Sequence, residues 1–218
     1  MISLKGKTLF LTKLKDRLES IEKSIQNLER GKVSIPLEVV ENGKRPIYAH
    51  LGDAGADLYA REDIVIEPGK TKLVPLGIKL AIPEGYEVQV RPRSGMSYKT
   101  SLRVIIGTVD SGFRGEISAI MWNGTTDSFS NTTDGVGAFY IDGSPISVED
   151  FKRVCELLLL DPDTTSPEDI QNYVYVRKGD RVAQMVVNKV AHASFNVTSD
   201  VNRFGVDRGG GWGSSGLR

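Results

Sequence analysis

The sequence predicts an all-β domain that carries an N-terminal helix and a partly helical insertion, and three features of its 218 residues point that way. From residue 34 onward, short Val-, Ile- and Leu-rich segments recur between Pro and Gly turns, with no helical pattern between them. Residues 11–28 instead show apolar positions alternating at spacings of three and four. A polar, acidic stretch at 123–176 then breaks the strand texture.

The first element is the head, residues 1–33. Leu11, Leu14, Leu18, Ile21, Ile25 and Leu28 form an a/d heptad stripe. Arg17 falls at g and Glu22 at the following e, an attractive pair between parallel helices. Gly31 follows as a helix stop. The stripe predicts self-association through a parallel coiled coil; a helix packed on its own domain is the alternative.

The strands predicted next are Ile35 to Val40, Ile64 to Ile66, Leu73 to Leu80, Tyr86 to Val90 and Leu102 to Ile106, then Tyr173 to Val176 and Val182 to Val190. Many short strands without intervening helices imply an antiparallel sandwich or barrel over residues 34–200. Within 123–176, Asn123 to Ser144 reads as loop. Ser147 to Asp150 resembles a capping box, opening a helix with Val148, Phe151, Val154 and Leu158 on one face and Pro162 ending it. Ser166 to Asp169 reads as a second short helix start, and Cys155 as an inert buried thiol.

Charge is unevenly spread. The 28 basic and 28 acidic residues cancel, yet 123–176 holds 2 basic against 10 acidic residues, so it reads as an insertion that is a solvated acidic loop, with a binding surface as the alternative. One Cys and two His leave no disulfide framework and little material for zinc. No apolar run reaches the ~20 residues of a membrane span. Zero net charge disfavours direct nucleic-acid binding. A reducing, cytoplasmic setting is expected, with no membrane partner.

Five segments place Gly, Arg, Ser and Asp where a β protein would alternate apolar residues: Ala54 to Leu58, Arg91 to Ser97, Gly107 to Glu116, Lys178 to Gln184, and Arg208 to Gly216. Arg93, Ser94 and the Gly95 amide suit an anion, because charge-assisted donors converge on a pliable backbone. Asp110 and Phe113 put a carboxylate and an aromatic on one tight turn. A Gly-rich tail with Arg208 and Trp212 can wrap a polyphosphate and stack on a ring. Scarce His and Cys disfavour zinc chemistry, and Ser94 lacks an adjacent base apart from Lys99. Carboxylate-activated water, with a divalent ion on the phosphates, remains.

In this order the five segments resemble the five motifs of the homotrimeric dUTPase family, over roughly residues 34–218. The resemblance implies a jelly-roll-like β barrel, active sites shared between three subunits, and Mg²⁺-dependent hydrolysis of dUTP to dUMP and pyrophosphate. It implies that Asp110 activates the water and that Asp57 meets the metal–phosphate end through water, with no direct protein ligand to Mg²⁺. Arg93, Ser94 and Gly95 would hold the phosphates, Gln184 would bind phosphate or the catalytic water, and Gly107 would bind the substrate. Phe113 would pack under the deoxyribose and exclude a 2′-hydroxyl. The segment 201–218 would close over the site, with Arg208 on the γ-phosphate, Trp212 stacking on uracil, and Gly211, Gly213 and Ser214 lining the substrate.

Three departures from the family pattern stand out. Phe113 replaces a more usual Tyr, Trp212 a more usual Phe, and Val104 occupies the neighbourhood of an Asn that touches uracil in many members. Backbone groups would then read the base. The 123–176 stretch is longer than the usual link, as in some phage members, which implies a phage-like origin and a possible protein partner for the insertion. A dCTP deaminase, a deaminase–dUTPase hybrid, and a nucleotide-gated regulatory protein are the alternatives. Three associating chains would make the head a three-stranded coil.

Overall fold

Alternation of small turns with short apolar runs yields many strands and few helices, and the computed structural model describes residues 4–29, 31–125 and 137–207. The chain opens with helix α1 (Leu4–Glu29) and continues through β1 (Leu37–Val39), β2 (Ala56–Tyr59), β3 (Ile64–Ile66), β4 (Thr71–Pro75), β5 (Ile78–Leu80) and β6 (Tyr86–Arg91). Helix α2 (Ser94–Lys99) precedes β7 (Leu102–Ile105), β8 (Gly107–Val109) and β9 (Ser118–Asn123). Strand β10 (Phe139–Tyr140), helix α3 (Val148–Leu158), a 3-10 turn (Pro167–Ile170), β11 (Val174–Val176) and β12 (Arg181–Lys189) complete the order, followed by a 3-10 turn at Val201–Arg203.

Among the described residues the strands form four sheets, ordered β1-β5, β10-β11-β3, β2-β12-β6-β8 and β4-β9-β7. All pairings are antiparallel except β10 with β11. The sheets enclose one apolar core, in which Leu58, Leu76, Ile78, Val88, Leu102, Met121 and Val182 are almost wholly buried. This is a mostly-β fold of jelly-roll type; among the described residues the hydrogen-bonded strands do not close into one continuous ring.

Several predicted elements change. Leu73 to Leu80 is not one strand but β4 and β5, parted at Gly77, whose φ is +68°. A side chain there would also overlap the Gly43 backbone, so glycine is required on both counts. Asn123 to Ser144 is not all loop, since Asn123 ends β9 and Phe139–Tyr140 form β10.

The solvated reading of 123–176 is also corrected. Its described part folds around a second apolar cluster of Ala138, Val154, Ile170 and Tyr175, packed against Val65 of β3. Ser147 caps α3 by accepting from the Asp150 amide, but the capping box is half made. The Asp150 carboxylate accepts from the Tyr140 hydroxyl at 2.5 Å, and that hydroxyl accepts from the Ser147 amide at 3.0 Å. Helix α3 stops at Leu158, with Leu159 left-handed at φ 58°, before Pro162 is reached. The Pro167 turn does carry a full capping box between Ser166 and Asp169. Cys155 is buried as expected, and burial pushes its thiol pKa up.

Helix α1 presents Leu11, Leu14, Leu18, Ile21 and Ile25 at 46–62% exposure, and every other described side chain on it is exposed too. It does not pack on its own domain through that face. No described helix is long and apolar enough to cross a membrane.

Candidate active site

Strand β12 is the centre of the larger sheet, and its two neighbours set the first half of the site. Gln184 lies opposite Asp57 of β2 on one side and Arg91 of β6 on the other. The chain leaving β6 turns through Pro92 and Arg93 into α2, so Ser94 and Gly95 sit at that strand's end. Asp57, Arg93, Ser94, Gly95 and Gln184 therefore line one pocket of about 340 Å³, together with His50, Asp53 and Arg181.

Its electrostatics centre on Asp57, whose side chain is 15% exposed. One carboxylate oxygen lies 3.0 Å from Arg93 Nε and the other 3.2 Å from Arg181 Nη1. Arg93 Nη1 also donates to the Arg181 carbonyl at 3.0 Å. Gln184 Nε2 donates to the Pro92 carbonyl at 2.8 Å, which fixes its amide beside the turn. Gly55 leaves room for that amide, because a Cβ at Gly55 would overlap Gln184 Oε1. Two guanidinium groups converge on this one carboxylate, with the Ser94 hydroxyl and Gly95 beside them, a donor set of the kind that binds a polyanion, while Asp53 lies 3.5 Å from His50 in the same pocket.

The second half lies elsewhere. Gly107, Asp110 and Phe113 line a separate pocket of about 200 Å³ with Ile105, Thr108 and Ile117. Asp110 follows β8 and is exposed; among the described residues its carboxylate makes no hydrogen bond or ion pair. Its carbonyl accepts from the Phe113 amide at 3.0 Å, closing the tight turn. Arg114 Nη1 braces that turn through the Ser111 and Phe113 carbonyls, at 2.6 and 2.8 Å. Gly115 lets the Phe113 ring fold back, since a Cβ there would meet the ring at 2.6 Å.

One chain does not bring the two halves together. Gln184 is level with Arg91, whereas Asp110 lies one residue past the Val88–Val109 rung, level with Glu87. Four residues of β6 separate them, roughly 13 Å at about 3.3 Å per residue. Val104, in the neighbourhood of the Asn that touches uracil in many family members, is buried in the core at 5% exposure. Ile105 and Gly107 face the pocket. Arg208, Gly211, Trp212, Gly213 and Ser214 lie outside the described residues.

Arg181, like His50 and Asp53, is a site residue that sequence reasoning passed over. It lies inside the fourth segment, but its partner Asp57 is 124 residues away, so no local spacing exposes the pair. For Mg²⁺ the chain offers hard oxygen donors singly. Among the described residues no three of His, Cys, Asp and Glu converge into a cage, and Asp57 is the part-buried carboxylate of the phosphate-type pocket.

A dUTPase family model matches residues 41–136. The deoxyuridine 5′-triphosphate nucleotidohydrolase of Alkaliphilus metalliredigens is 46% identical over 99 residues, covering 44% of this chain and 69% of that protein. Its counterpart in Thermobifida fusca is 34% identical over 173 residues, covering 78% of this chain and 72% of that protein. Among solved structures, the dUTPase of Staphylococcus aureus phage phi11 has a TM-score of 0.62 at 25% identity, covering 79% of this chain and all of that one; it was described for its species-specific insert. Staphylococcus bacteriophage 80alpha dUTPase with dUpNHpp has a TM-score of 0.68 at 23% identity, covering 84% of this chain and 99% of that one, a likeness of fold. A phi11 variant is described as coordinating a structural Mg(II) ion. The β fold agrees with these matches. The chain belongs to the dUTPase family.

Proposed function

We propose that the protein hydrolyses dUTP to dUMP and pyrophosphate in the cytoplasm, at sites assembled from three copies of the chain. The separation of the Asp57–Arg93–Arg181 pocket from the Asp110–Phe113 pocket along β6 carries this reading. Each half lacks what the other holds, so a phosphate-holding half from one chain can face the water-activating half of another.

In this reading Arg93, Arg181, the Ser94 hydroxyl and the Gly95 amide hold the phosphates, and Gln184 orients them from its anchored amide. Substrate oxygens would replace Asp57 on the two guanidinium groups, leaving Asp57 as the carboxylate that would hold Mg²⁺ through water. The ion, bound on the triphosphate, would supply charge neutralisation for the leaving pyrophosphate. The unpaired Asp110 carboxylate positions a water for in-line attack on the α-phosphorus and takes its proton. Phe113 supplies a flat face for the deoxyribose, and backbone groups of Ile105 to Gly107 read uracil. Arg208, Trp212 and their neighbours close the site. The insertion is read as a further protein-docking element, because Val148 and Leu159 stand out at 82% and 93% exposure on its acidic surface.

The test is pyrophosphate release from dUTP, dCTP, dTTP and UTP with Mg²⁺, for wild type and Asp110→Asn. Release from dUTP alone is expected, falling by about 10²–10⁴-fold in the variant while a non-hydrolysable dUTP analogue still binds. Ammonia release from dCTP, or wild-type turnover by Asp110→Asn, would overturn the reading.

A further inference from the structure

We propose that residues 11–28 of three copies pack as a parallel, in-register coiled coil that ties the chains together beside their shared sites. The number of strands rests on the three-chain reading of the site; the parallel pairing does not.

The apolar stripe of α1 is unpartnered. Leu11, Leu14, Leu18, Ile21 and Ile25 occupy successive a and d positions, and each is between 46% and 62% exposed. A helix that leaves such a seam in water is short of a partner, because isolated helices of this length owe most of their stability to a packed face. The spacing selects another copy of itself. Strict alternation of three and four over these positions keeps the seam facing a supercoiled partner, whereas a helix packed on a sheet presents a broader stripe. Around the seam the charges agree: Arg17 at g faces Glu22 at e of the neighbouring chain when helices run parallel.

The connection to the β domain is short. Gly31, at φ +67°, ends the helical course, and Ile35 already packs against the core ahead of β1. Residues 31–35 run along a groove floored by Tyr86, Met185 and Val187 of β6 and β12. So short a tether keeps the three helix ends close once the β domains meet, raising the effective concentration of each helix for the others.

The experiment uses the full chain carrying Ile25→Cys, since the only native thiol, Cys155, is buried. A disulfide needs Cα atoms within about 7 Å. Parallel, in-register helices bring the a positions of neighbouring chains together, whereas an antiparallel pair centred on Leu18 and Ile21 sets Ile25 opposite Leu14, roughly 16 Å away at 1.5 Å per residue. Mild oxidation should yield a covalent two-chain species with a third chain unlinked, and Lys23→Cys, at an f position, should not link. Adding Leu14→Asp and Ile21→Asp should abolish the link and raise the dissociation midpoint in sedimentation by about tenfold or more. Absence of the Ile25→Cys link, equal linking at Lys23→Cys, or an unchanged midpoint would overturn the proposal. Linking in a protein that does not cleave dUTP would leave the coil standing and remove the catalytic reading instead.

Discussion

Replacing Asn123 by Ala strips a wholly buried amide from the point where the insertion leaves the β domain. Its Nδ2 donates to the Ile66 carbonyl at 3.1 Å and to the Asn172 carbonyl at 2.8 Å, and its Oδ1 accepts from the Thr125 amide at 3.2 Å. Those bonds tie β3, the segment before β11 and the end of β9 to one side chain. At about 1 kcal/mol net for each, the loss is about 3 kcal/mol. For a chain of this size each kcal/mol moves Tm by about 2–4 °C, so a fall of about 6–12 °C is expected by calorimetry or circular dichroism at fixed concentration. Asn123→Asp keeps the shape but turns the donor toward two carbonyls as an acceptor, so it should be at least as damaging at neutral pH. Asn123 lines neither pocket, so turnover of the folded fraction at room temperature should be retained. A Tm loss below about 2 °C in Asn123→Ala, or a wild-type Tm in Asn123→Asp, would refute this account of how the insertion is anchored.

The remaining predictions concern the site and the second core. Gly55→Ala should push the Gln184 amide off its 2.8 Å bond to Pro92 and lower turnover by up to about 100-fold with little change in Tm; unchanged turnover would show that Gln184 needs no fixed pose. Arg181→Ala should weaken binding of a non-hydrolysable dUTP analogue by about 10-fold or more while sparing deoxyuridine, and equal affinities for the analogue would remove Arg181 from the phosphate site. Tyr175 is 2% exposed, and burial, followed by the nearby Asp63 and Asp150 charges, raises its phenol to about 12. The fold favours the neutral phenol, so this stability is complete below the unfolded value of about 10 and is lost as pH rises through about 12. Absorbance titration should find one late-ionising tyrosine that Tyr175→Phe removes; ionisation of all tyrosines near 10 would contradict its packing.

Elements whose pattern is local were legible. Ile64 to Ile66 is β3 as read, and Tyr86 to Val90 differs from β6 by one residue, because apolar runs between turn residues specify strands with little outside help. Strand β9 was not legible. Its inward positions are Ala119, Met121 and Asn123, while Ile120 and Trp122 face outward, so the apolar alternation is blurred. The packing of the insertion was hidden for a related reason. Its acidic count describes its surface, while Ala138, Val154, Ile170 and Tyr175, dispersed along it, make the core.

The sequence by itself determined the family and the mostly-β character of the chain beyond its head, since both rest on residue types at short, fixed spacings. Only the tertiary structure decided how the site segments group. Pairing of β12 with both β2 and β6 brings Gln184, Asp57 and the Arg93 turn into one pocket and recruits Arg181 across 124 residues. The length of β6 holds Asp110 and Phe113 in another. Strand register is a relation between distant parts of the chain, settled by which faces bury together, and no local spacing encodes it.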